Sequence, residues 1–130
     1  MRRACTVACG TALALVTSLA WGRPKPLAQS LPQDARRDYD AGKLLFEDGD
    51  FATALLKYQA AFDETHDARL LWDVAVCEKS LRHYARALAT LSRYLAEGGE
   101  LLTPGDRRDA QELSRAIAPF ASAQTLHVSE

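Results

Sequence analysis

Between Pro32 and Ala121, apolar side chains recur every three or four positions, and glycine, aspartate and proline interrupt the pattern at short intervals. That period places the apolar residues on one face of an α-helix. Five helices follow from it. Pro32 suits a first helical turn, where its missing N–H costs nothing. The helix it opens carries Ala35, Ala41 and Leu45 on one face and stops at Gly49. Asp50 is placed to cap a second helix, Phe51 to Glu64, by accepting a backbone N–H. Phe51, Ala54, Leu55, Tyr58, Ala61 and Phe62 form its stripe. Asp67 caps a third, Ala68 to Leu81, whose inward side is Leu71, Val74, Ala75 and Cys77. Tyr84 to Glu97 is the fourth, with Tyr84, Ala87, Leu88, Leu91 and Leu95 inward, and Gly98-Gly99 ends it. Thr103 caps a fifth, with Pro104 in first position and Asp106 near the N–H end. It runs to about Ala121 with Ala110, Leu113, Ile117 and Phe120 as its stripe, and Pro119 is expected to kink or fray its last turn. Thr125 to Val128 reads as the start of a short strand.

The second helical hairpin repeats the first. Gly42 to Ala61 returns 33 residues later as Ala75 to Tyr94. Ala52, Ala54 and Leu55 meet Ala85, Ala87 and Leu88, and Phe51 meets Tyr84. A helical hairpin repeated at that period marks a helical-repeat protein. The copies are unequal. Arg82-His83 stands where Gly49-Asp50 stood, so the second turn forms less easily. Glu78 takes a position where apolar surface is expected.

The N-terminus reads as an address. Met1-Arg2-Arg3 gives a positive start, Ala4 to Leu19 carries no charge, and Thr17-Ser18-Leu19-Ala20 offers small residues for a cut after Ala20. This is the layout of a secretory signal peptide, residues 1–20. Cuts after Gly22 or Ser30 stay open, and an uncleaved anchor is the one route to the membrane. Residues 21–31, with prolines and a glycine, read as a flexible linker. Removing Arg2 and Arg3 with the leader shifts the formal charge from −1 to −3. Neither value attracts nucleic acid. Cys5 and Cys9 leave with the leader, and Cys77 remains as a lone core cysteine with no partner for a disulfide.

Residues 32–123 read as one helical domain, and about residues 35 to 101 of it, half the chain, resemble the tetratricopeptide repeat. That family sets a small residue midway along the first helix of each hairpin, here Gly42 and Ala75. An aromatic follows the turn, Phe51 and Tyr84, then a small residue, Ala54 and Ala87, then a large apolar one, Tyr58 and Leu91. Ala61 matches the next small position, while Tyr94 departs from it, and the proline closing each repeat is replaced by His66 and Gly99. Leader, linker, two repeats and a capping helix together resemble exported repeat proteins of Gram-negative bacteria. In many of these a PEGA-type β-domain follows, and residues 124–130 would open it. The resemblance implies an all-α superhelix whose first helices line a concave groove through Arg36, Tyr39, Asp40, Lys43 and Phe46, then Arg69, Trp72, Asp73, Val76 and Lys79.

Chemistry elsewhere is thin. His66, His83 and His127 fall in a loop, a turn and the tail, with no zinc-ligand spacing. No nucleophile elbow, H-E-x-x-H or phosphate loop occurs. No catalytic, metal or cofactor residue is assigned. The expectation is an exported, non-enzymatic interaction module of the periplasm or envelope that binds a peptide or helix through Arg36, Tyr39, Lys43, Arg69, Trp72 and Lys79. The lysines suggest an acidic peptide, and aromatics with arginine are the types enriched at binding hot spots. Trp72 and Phe46 have a second reading, packing against the fifth helix or each other. Two repeats are few for a stable array. A self-associating scaffold, or a spacer within a larger envelope protein, is therefore the alternative.

Overall fold

A computed structural model describes residues 24–126, with side chains to residue 123. The leader lies outside the described residues. Every element within them is helical: α1 (Leu27–Ser30), α2 (Gln33–Glu47), α3 (Phe51–Thr65), α4 (Leu70–Ser80), α5 (Tyr84–Glu97), a 3-10 turn (Gly99–Leu101) and α6 (Pro104–Leu126). Each of α2 to α6 packs on the next, so the chain is an all-α array of two hairpins closed by α6.

The hairpins close tightly because their facing positions are small. Ala54, Ala75 and Ala87 are fully buried, and Gly42 is buried in α2. A Cβ on Gly42 would lie 2.9 Å from the Tyr58 ring, itself buried. The core then runs along the array. Leu31, Ala35, Ala61 and Leu70 form one end, Ala54, Tyr58, Val74 and Cys77 the middle. Leu71, Ala75, Leu91, Tyr94, Ala110 and Ile117 join α4 and α5 to α6. Tyr94, the departure from a small residue, fits because Ala110 of α6 lies in the same cluster.

The two inter-helix turns are built alike from unlike residues. In the first, the Asp50 N–H bonds the Leu45 carbonyl and the Gly49 N–H bonds Phe46. In the second, the His83 N–H bonds Glu78 and the Arg82 N–H bonds Lys79. Both are Schellman closures, which need a left-handed residue. Gly49 has φ 82° and Arg82 has φ 61°, so Arg82 adopts a conformation that disfavours a Cβ. Asp50 caps α3 through the Thr53 N–H at 3.1 Å, whereas His83 makes no such bond. The repeat ends also match. His66 and Gly99, where the family proline is missing, both turn left-handed, at φ 53° and 49°.

Four expectations are corrected. The linker is not unstructured throughout: Leu27–Ser30 forms a helical turn and Leu31 is buried beside Ala35 and Leu70. Apolar burial of Leu31 and the bond from Ser30 Oγ to the Leu27 carbonyl, 2.7 Å, hold the turn. The fifth helix does not stop near Ala121: α6 carries Pro119 inside it and continues to Leu126, with Ala121 buried just past the proline. For the same reason Gln124 to Leu126 are helical and do not start a strand; residues 127–130 lie outside the described residues. Asp67 does cap, through the Arg69 N–H at 3.0 Å, but helical geometry begins later than expected, at Leu70.

Gly42→Ala should lower stability by roughly 1–3 kcal/mol, since overpacking against Tyr58 outweighs the better helix propensity of alanine. Arg82→Gly should raise it by about 1 kcal/mol by removing the left-handed Cβ cost. Urea unfolding of both variants measures each difference.

Candidate binding groove

The first helices of the two hairpins, α2 and α4, both contribute to one concavity. There Tyr39 of α2, Arg69 beside α4, Trp72 and Asp73 of α4 and Tyr94 of α5 line a cavity of about 310 Å³, with Asp106 and Asp109 of α6 and Leu27 at its edges. A second cavity, about 190 Å³, is lined by Phe46, Tyr58, Trp72, Asp73 and Val76. Trp72 and Asp73 are the wall common to both.

The six candidate residues do not act as one set. Tyr39, Arg69 and Trp72 come together in the first cavity. Trp72 is half-buried and stacks on Tyr94, centroids 5.9 Å apart, so it packs and lines the groove at once. Tyr39 stacks on Tyr58 at 5.8 Å. Lys43 is exposed, with Nζ 6.0 Å from the centre of the Tyr39 ring. Arg36 pairs with Asp40 at 3.8 Å, both more than half exposed, a contact worth about 0–1 kcal/mol. Lys79 is exposed at the end of α4 and lines neither cavity.

Arg69 is held by its own chain. Its guanidinium meets both Asp67 carboxylate oxygens, at 3.0 and 2.7 Å, and donates to Ser30 Oγ at 2.5 Å and the Lys25 carbonyl at 2.6 Å. Both side chains of the pair are only 14% exposed. Burial pushes the Asp67 carboxyl up, but the bonds from Arg69 outweigh it and leave the group below its ordinary value. The same hydrogen bonds raise Arg69.

Asp73 is the opposite case. No ion pair and no hydrogen bond from another residue reaches its carboxylate among the described residues. Burial pushes it up to about 7, against a smaller opposing pull from Lys43. Its charge in turn acts on its neighbours. Tyr39 and Tyr58 are raised by burial and then by Asp73, and Cys77 goes up to about 12 by the same two causes. Burial, Asp106 and Asp73 push Tyr94 up to about 12. Cys77 is therefore a buried thiol and a poor nucleophile. Among the described residues no three His, Cys, Asp or Glu side chains lie close enough to hold a metal ion.

Sequence reasoning missed Tyr94, Asp106 and Asp109 as groove residues. They come from the second helix of a hairpin and from the capping helix, outside the family's groove positions. The i, i+3 spacing of Asp106 and Asp109 was the available signal, since it sets both on one face of α6.

The Asp73 shift fixes a sign. A carboxyl raised from 3.8 to about 7 in the fold binds more protons folded than unfolded between those values. Its contribution is full below about 4 and is lost as pH rises through about 7. Asp73→Asn should gain stability relative to the native chain across that window and level off above it, as thermal unfolding at a series of pH values will show.

No protein-family model matches the chain, and no solved structure matches it. Among curated proteins it is similar to intraflagellar transport protein 70A of Danio rerio, 33% identical over 76 residues. The match covers 57% of this chain and 12% of that much longer protein.

Proposed function

We propose that the chain is an exported, non-enzymatic interaction module of tetratricopeptide type that takes a peptide or helix of a protein partner into the groove lined by α2, α4, α5 and α6. The observation that carries this reading is the pair of adjoining cavities sharing Trp72 and Asp73 as a common wall. Two neighbouring cavities lined by rings and a few polar groups, drawn from both hairpins, suit an extended segment with side chains at intervals. The similarity to an intraflagellar transport protein supports a helical scaffold over an enzyme. The charge-free run after Arg2-Arg3 supports export.

A second reading, self-association, draws on Phe120. It is 55% exposed on α6, where the array ends, with one face on Tyr84. A third hairpin, or a second copy, would cover it.

Peptides selected on the full chain from a random display library should lose binding in Trp72→Ala and in Tyr39→Ala by roughly tenfold or more, as expected at hot spots. Circular dichroism of both variants should stay helical. Retention of binding by both places the contact elsewhere.

A further inference from the structure

The cavity under Tyr39, Trp72 and Tyr94 has a definite charge preference. We infer that it receives the side chain of a lysine or arginine of the partner, its cationic head between the rings and the carboxylates of Asp73 and Asp109. This rests on the groove reading above and specifies the partner's chemistry.

Three aromatic rings from three different helices face one cavity of about 310 Å³. Ring faces attract cations when water is excluded. The groove already contains one instance, Lys43 Nζ at 6.0 Å from the Tyr39 centroid. Three carboxylates and one guanidinium line the same cavity. The guanidinium, Arg69, is neutralised by Asp67 and fully engaged by Ser30 and Lys25. Asp106 is partly engaged, accepting the Thr103 N–H at 2.8 Å. Asp73 and Asp109 have no partner among the described residues. Two other cations stand near. Lys43 faces Asp73 from α2, and Arg107 acts on Tyr94 from α6 while it donates to the Gly99 carbonyl. Neither forms an ion pair with the free carboxylates. Among the described residues no three acids are placed to hold a metal ion. An extended organic cation with an apolar stem suits a cavity lined by both rings and carboxyl groups.

This reverses the acidic peptide suggested by the sequence. Of the two lysines behind that suggestion, Lys79 lines neither cavity and Lys43 faces a carboxylate. An acidic side chain entering the first cavity would meet three carboxyl groups on its wall, while the one guanidinium there is already paired with Asp67.

The test is a short-peptide array of randomised sequence, probed with the full chain at low and at moderate salt. Bound peptides should be enriched in Lys and Arg. Asp73→Asn and Asp109→Asn should each weaken them by roughly tenfold or more. Asp63→Asn, on the far side of α3, should not, and Lys43→Gln should tighten them. Enrichment in Asp and Glu, with tighter binding by Asp73→Asn and weaker by Lys43→Gln, would overturn the charge assignment and leave the groove standing. Basic peptides indifferent to both aspartate variants also overturn it. Binding unaffected by Trp72→Ala removes the groove itself, and an array with no bound peptide removes both.

Discussion

Two helices can lie side by side only as closely as their smallest facing residues permit, and in this chain that distance sets everything else. Gly42 has no space for a Cβ before the Tyr58 ring, and Ala54, Ala75 and Ala87 are sealed completely. With the backbones that close, the aromatic side chains pack in pairs beside the small residues: Tyr39 against Tyr58, Phe46 edge-on against Phe51, Trp72 against Tyr94. The groove is lined by several of those rings. A wider hairpin would swallow them into its interior and leave no cavity.

Much of this was legible in the sequence because it is local. The five helices follow from apolar spacing, their ends from Asp50, Gly49, Gly98 and Thr103, and the unequal turns from Arg82. What escaped was tertiary. Arg69 looks like a free groove cation by position, yet its partners Lys25 and Ser30 lie 44 and 39 residues away in a segment that prolines marked as linker. Asp73 shows its character only when Tyr39, Tyr58 and Tyr94 close around it. Thr125 and Leu126 favour a strand alone, but the helix arriving through Ala121 carries them with it. Glu78, an evident misfit, is buried at 6% exposure and satisfied by Thr90 Oγ1 at 2.7 Å, a hydroxyl that no repeat pattern advertises.

The charge pattern of the groove follows the same division. Of the cations that repeat-based reasoning made prominent, Arg69 is neutralised within the chain by Asp67. Asp106 and Asp109 of the capping helix add two carboxyl groups to the cavity that Tyr39, Arg69, Trp72 and Asp73 line, so α6 does more than cover the open end of the second hairpin.

The Arg69 knot also fixes the segment that precedes α2. Two of its four hydrogen bonds end on Lys25 and Ser30, and Leu27 of the same segment lines the cavity. The other two end on Asp67, so the charge of Arg69 is answered within its own turn while its position depends on a stretch 39 to 44 residues earlier. The segment ahead of α2 is therefore a wall of the cavity and not a tether to it.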